Sequence, residues 1–261
     1  MSERPHVRFR ERLARREPLV GLVLSLPSPE LAEMLAAAGF DWLFVDMEHG
    51  LIDFAAVQRM IQAVGGACPC IVRVPNNEAV LIGKALDTGA AGVIVPHVNS
   101  AEEARAAVRA ARYPPAGARS IGAARAQGYG RRLAEAIARD NFETLVVAQV
   151  EHVDAVRSIE AIVRVPGVDA VFIGPFDLSA SMDKPGEIAA EDVQQAIDAV
   201  TEACAAKGLP CGIFAVDGAS ARRAGEAGHS LVCVGTDTLL VASAANRLLG
   251  EARAAGSGGH A

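Results

Sequence analysis

The sequence is 261 residues long and 51% hydrophobic, enough to bury a large core, and it does not require a second domain. Its 31 acidic residues outnumber 25 Lys and Arg for a formal net charge of −6, and with no Lys-rich tract this argues against a general nucleic-acid binder. No apolar run reaches the roughly 18 residues of a membrane span, so a soluble protein is expected.

Residues 1–17 mix Arg with Glu around no apolar centre, which predicts a leading N-terminal helix or an exposed arm and not a secretory leader. Apolar runs then predict strands at 19–24, 42–45, 70–74, 92–96, 145–150, 169–173, 210–214 and 231–235. Amphipathic, Ala-rich stretches predict helices at 29–38, 54–67, 78–88, 100–112, 153–165, 189–207, 220–227 and 238–249. About eight βα units in about 250 residues is the count of a (β/α)8 TIM barrel. A doubly wound open sheet competes with it, but no G-x-G-x-x-G follows the first run. The expected organisation is an arm at 1–17, a barrel over 18–250 and a flexible tail at 251–261, which ends in GSGGHA. The longest connection, residues 113–132, is rich in Gly, Pro and Arg, and a loop of that length inside a compact domain is usually functional. The five cysteines are odd in number and lie in or beside apolar runs, so they read as reduced core residues of a cytoplasmic protein; Cys68 and Cys70 lack a second Cys/His pair at zinc spacing.

In such a barrel the chemistry sits where the strands end. The polar residues there are Asp46, Glu48 and His49 after the second strand, Arg73 at the end of the third, His97 after the fourth, Gln149 and Glu151 at the fifth, and Asp177 after the sixth. Glu151 and Asp177 on neighbouring strand ends concentrate negative charge, which is costly unless a cation lies between them, so a divalent metal is the first hypothesis. Asp177 alternatively caps a helix. Arg73, inside CIVRVP, either forms a buried salt bridge or binds an anion. His49, three residues after Asp46, reads as a general base, whereas His97 has no evident carboxylate partner and the side chain of His152 reads as pointing elsewhere. The lysines are Lys84, Lys184 and Lys207, none on a strand, so no Schiff-base lysine is expected and carbonyl chemistry would rest on a metal.

The segments FDWLFVDMEHG (40–50), IVRVP (71–75), RYPPAGARSIG (112–122), QVE (149–151) and GPFDLS (174–179), in this order, resemble the HpcH/HpaI aldolase family of the phosphoenolpyruvate/pyruvate barrel superfamily, over nearly the whole chain. The resemblance implies metal binding by Glu151 and Asp177, contact of Arg73 with pyruvate and its enolate, and a base at His49 with Asp46 in its hydrogen-bond network. It also implies that Asp87 pairs with the histidine across a subunit boundary, that Gln149 stands beside the metal, and that the Gly174 and Pro175 backbone cradles substrate. Hexamers, built as trimers of dimers with the last helix exchanged, are implied as well.

The activity implied is class II cleavage of 4-hydroxy-2-keto acids into pyruvate, or a related 2-keto acid, and an aldehyde. Both the 4-hydroxy-2-oxoheptanedioate and the 2-dehydro-3-deoxy-sugar-acid types fall within it, with a place in aromatic or sugar-acid catabolism. The metal would be Mg²⁺ or Mn²⁺, with Co²⁺ as a substitute. Phe176 stands where the family tends to carry a small residue; with Phe214 it is expected to narrow the aldehyde channel, unless it packs beneath its own loop. Competing readings on the same scaffold are an acyl-CoA or citrate-type carbon–carbon lyase, an oxaloacetate decarboxylase, and a barrel without catalysis.

Overall fold

The computed structural model describes residues 5–254. Strands β1 (Leu19–Leu24), β2 (Trp42–Asp46), β3 (Cys70–Arg73), β4 (Gly92–Val95), β5 (Leu145–Val150), β6 (Ala170–Ile173), β7 (Cys211–Ala215) and β8 (Leu231–Thr236) are parallel and neighbour one another in chain order. β8 pairs with β1 and closes the barrel.

The strands read as continuous apolar runs because both of their faces are covered. Ile71, Ile94, Val147 and Phe172 fill the lumen, while Val72, Val93, Ala148 and Ile173 belong to the layer between sheet and helices. Trp42, Phe44 and Phe172 dominate the lumen, with ring centroids 5.6–6.4 Å apart. Gly21 makes room for them: a Cβ there would stand 2.4 Å from the Trp42 ring. The expected leading helix is present at Pro5–Ala14 and plugs the barrel floor with Phe9 and Leu13. Arg10 bonds Asp169 just before β6, and Arg12 bonds Asp41 just before β2.

Several outer helices start where side chains cap them: Ser28, Asp53 and Ser100 accept from the N–H groups of Leu31, Ala56 and Glu103. Four expectations are corrected. The single helix expected over 153–165 breaks at Ser158 into Val153–Arg157 and Ile159–Ile162. A helix not expected from the sequence forms at Leu133–Glu143, and GPFDLS is no loop, because Pro175–Ser181 is helical. The final helix runs through Asp237–Ala254, so residues 251–254 continue it; residues 255–261 of the expected tail, and residues 1–4 of the expected arm, lie outside the described residues.

All five cysteines are free and buried. Burial pushes the Cys68 thiol up to about 11 and that of Cys70 further. Among the described residues no helix is long and apolar enough to cross a membrane.

Candidate active site

Period-two alternation places the polar strand-end residues. Phe44, Ile71, Val147 and Phe172 point into the lumen, so Asp46, Arg73, Gln149 and Gly174, two positions further on, face the same lumen at its mouth. A cleft of about 490 Å³ opens there, lined by Asp46, His49, Arg73, Gln149, Gly174, Pro175, Phe176, Asp177 and Phe214, above a floor of Phe44 and Phe172. Nine of the eleven site residues expected from the sequence thus share one cleft.

Asp46 and Arg73 are register partners on β2 and β3. Arg73 Nε and Nη2 donate to the two oxygens of Asp46 at 2.8 and 2.6 Å, while Nη1 lies 2.9 Å from Glu48 Oε2. The buried ion pair is thus present, and Arg73 also lines the cleft. Its guanidinium also lies 5.2 Å from the Phe44 ring centroid. Burial opposes the charge on Arg73, but the hydrogen bonds and charge of Asp46 outweigh it and hold the guanidinium pKa above its ordinary value. Burial pushes the Glu48 carboxyl up despite Arg73, and Glu151 pushes it further.

The expected His49–Asp46 link is corrected in kind. Asp46 Oδ1 accepts from the backbone N–H groups of Glu48 at 3.0 Å and His49 at 3.4 Å, so Asp46 orders the turn that carries His49, while the imidazole is exposed at the cleft rim.

Glu151 is buried just beyond β5. Gln149 Nε2 donates to its Oε2, and Gly174 lies so close that a Cβ there would stand 3.2 Å from the same oxygen. Gln149 Oε1 is buried without a hydrogen-bond partner. Asp177 sits in the first turn of Pro175–Ser181, whose N-cap is Gly174 with no side-chain cap bond. Its carboxylate is exposed and lines the cleft, so the capping alternative does not describe it.

His97 corrects the sequence reading most. Its Nε2 lies 3.0 Å from Glu48 Oε1 and its Nδ1 3.2 Å from Glu151 Oε1, so it has two carboxylate partners. Among the described residues, Glu48, His97 and Glu151 bring three ligand atoms within 4.8 Å of one another, and the expected ligand Asp177 is not part of that group. Asp46 and Asp177 line the cleft with Arg73, and Glu48 and Glu151 stand just outside that lining, joined by His97, so acids outnumber the guanidinium here, which fits a divalent cation. His152 behaves as expected, turning its Nδ1 to the backbone N–H of Asp154.

Residues 19–244 match the family described as HpcH/HpaI aldolase/citrate lyase. The chain belongs to that family. It is 39% identical over 94% of its length to the hydroxypyruvate/pyruvate aldolase of Paraburkholderia phytofirmans, 97% of which is covered. It is 40% identical to the 2-keto-3-deoxy-L-rhamnonate aldolase of Klebsiella pneumoniae subsp. pneumoniae, over 92% of this chain and 91% of that one. Among solved structures, an HpcH/HpaI aldolase/citrate lyase family protein from Burkholderia cenocepacia J2315 superposes with a TM-score of 0.91 at 38% identity, covering 94% of this chain and 99% of the other. This HpcH/HpaI chain is a carbon–carbon lyase of the aldolase kind.

Asp87 stands apart from the cleft. It ends the helix Ala79–Asp87, which runs back from the mouth to the opposite face, and its Oδ1 accepts from Arg119 at 2.8 Å and Gln127 at 3.1 Å. The 113–132 connection lies on that same face: Arg112, which leads into it, bonds the Thr144 carbonyl and Asp169, at the starts of β5 and β6. Neither Asp87 nor this loop reaches the mouth of its own barrel.

Sequence reasoning gave Glu48 no role and missed Asp237. Asp237 is fully buried at the start of the last helix and accepts from Ser25 N, Ser25 Oγ and Leu26 N, clasping the segment after β1 that lines the cleft. Its place directly after the apolar run LVCVGT was the available signal.

Proposed function

We infer that the protein is a class II, metal-dependent aldolase that reversibly cleaves 4-hydroxy-2-keto acids into pyruvate, or a related 2-keto acid, and an aldehyde. The observation that carries this reading is the acid-rich mouth: Asp177 lines the cleft together with Arg73, and Glu151 lies against Gly174 of that lining and beside His97. Mg²⁺ or Mn²⁺, with Co²⁺ as a substitute, suits this oxygen-rich set. Glu151 and Asp177 would hold a divalent cation, which would supply Lewis-acid polarisation of the 2-oxo group. Arg73 donates to the keto acid and stabilises charge as it develops on the enolate, in a fixed orientation set by Asp46. His49 takes the proton of the 4-hydroxyl as the C3–C4 bond breaks; the bonding electrons pass to the enolate, the 4-carbon leaves as an aldehyde, water protonates C3 to complete pyruvate, and His49 gives its proton back to the solvent.

Lys184 pairs with Asp192, Lys84 lies 5.8 Å from the Phe54 ring, and no lysine lines the cleft, which supports a reading without an imine. The protein is further proposed to be a hexamer, a trimer of dimers with exchanged last helices, working in aromatic-acid or sugar-acid catabolism. Two features support the assembly. Helix Asp237–Ala254 exposes Leu239, Leu240, Val241, Leu248 and Leu249 and buries only Asp237, and Asp87 reaches a His49 only if that histidine belongs to a second copy.

The functional test is a panel of 4-hydroxy-2-keto acids assayed for pyruvate release. Within it, His49→Ala should lower aldol turnover by roughly 10²- to 10⁴-fold, the range of a lost general base. Oxaloacetate decarboxylation needs the enolate but no hydroxyl proton transfer, so it should fall much less. Equal losses of both activities would assign His49 to binding or folding.

Phe176 is 43% exposed and packs edge-on against Phe214 at 6.2 Å across the cleft, while Leu178 takes the buried position beneath the helix. On this reading Phe176→Ala should improve kcat/KM for bulky aldehydes over small ones by about 1 to 3 kcal/mol, with pyruvate affinity unchanged. An unaltered ranking of aldehydes in a folded variant would remove Phe176 from specificity.

A further inference from the structure

The group around His97 carries more than the two-carboxylate reading uses. His97 N donates to Glu151 Oε1 at 2.8 Å, and the same oxygen lies 3.2 Å from Nδ1. The backbone of His97 is left-handed, with φ of 56°, a conformation unfavourable for a non-glycine residue, which here turns main chain and ring toward one carboxylate. On the far side of the ring, Nε2 lies 3.0 Å from Glu48 Oε1, and Glu48 is itself anchored by Arg73.

Each ring nitrogen of His97 thus faces one carboxylate oxygen, and a cation between Nδ1 and Glu151 Oε1 would be held by both while Nε2–H is kept by Glu48. The order carboxylate, imidazole, cation is the arrangement by which metal-binding histidines are oriented, the outer carboxylate fixing tautomer and ring angle. A separate observation points to the same spot. Gln149, 1% exposed, carries a buried Oε1 with no partner while its Nε2 holds Glu151 Oε2, so an unused acceptor belongs to the residue bonded to that same carboxylate.

We propose that His97 Nδ1 is a protein ligand of the cation held at Glu151, with Glu48 as the carboxylate that orients the ring, and that this nitrogen biases the site toward Mn²⁺ and Co²⁺ over Mg²⁺. The inference rests on the reading that Glu151 binds a divalent cation. Its basis is donor chemistry: imidazole suits first-row transition ions, whereas Mg²⁺ favours an all-oxygen shell. Three protein donors in a six-coordinate ion still leave places for a chelating keto acid and water.

The test is pulsed EPR of the Mn²⁺-loaded protein together with calorimetric Mn²⁺ and Mg²⁺ titrations. Wild type should show hyperfine coupling to a coordinated ¹⁴N, kept in His49→Ala and lost in both His97→Ala and His97→Gln. Mn²⁺ affinity should fall by about tenfold or more in the His97 variants, and Mg²⁺ affinity by less than roughly threefold. Two His97 variants guard against a folding defect in either. Bound Mn²⁺ without ¹⁴N coupling in wild type, or coupling that survives His97→Ala, overturns the proposal while leaving the aldolase reading intact. Mn²⁺ binding that Glu151→Gln leaves unchanged, or no binding to wild type at all, overturns the metal assignment and this inference with it.

Discussion

Glu151→Gln is expected to reduce pyruvate release by at least about 10³-fold, since a substitution of nearly the same shape removes the charge around which the cation end of the cleft is organised. The fold should survive. Glu151 accepts from His97 N and from Gln149, and a glutamine carbonyl can still take one of those bonds. Relief of acid crowding works in favour of the variant, because Glu151 also pushes the Glu48 carboxyl up. The expected signature is a folded protein with near-normal melting temperature, undetectable metal-dependent cleavage and weak divalent-metal binding. A Glu151→Gln protein that cleaves at the wild-type rate would remove the metal from the chemistry.

The second large effect belongs to Arg73. Arg73→Ala should cost more turnover than His49→Ala, because it removes the donors to the developing enolate, and it should also destabilise the protein. The two effects have different origins. Asp46 is 3% exposed and takes two of its hydrogen bonds from Arg73, so removing the guanidinium strands a buried carboxylate and is expected to cost about 3 to 5 kcal/mol. Arg73→Lys separates them: it keeps a positive charge beside Asp46 but loses the planar fork, so stability should largely return while activity does not. Melting temperature and turnover measured on both variants check this. Recovery of activity by lysine would show that Arg73 acts only as a counter-charge.

The barrel was legible because each strand is covered on both faces and therefore stands out as a short apolar run between amphipathic helices. All eight expected strands are present within a residue or two of their expected limits. What escaped was short or compositionally mixed. LAEAIARDNFE at Leu133–Glu143 buries only Ala136 and Asp140, so its apolar face is faint, and it follows an Arg- and Gly-rich stretch that obscures its start. Pro175–Ser181 spans seven residues, too few for periodicity to show.

The inward-facing site residues were legible for a related reason: Asp46, Arg73 and Gln149 continue the alternation of their strands, so their direction follows from the apolar positions before them. His97 and Glu48 do not continue a strand. Their encounter depends on a left-handed turn at His97 and on the bend after Asp46, and nothing in VPHVNS or VDMEHG announces either. The 113–132 connection was noticed for its length, but its side of the barrel follows only from chain direction. It joins the end of one helix to the next helix, which leads into β5, and so lies opposite the mouth.

The most direct measurement of the central claim is pyruvate release from a 4-hydroxy-2-keto acid by protein stripped with a chelator and then titrated with Mn²⁺ or Mg²⁺. The stripped protein should show no cleavage, activity should return in full on adding either ion, and none should return in Glu151→Gln or Asp177→Asn. Full activity in the metal-free wild type would contradict it.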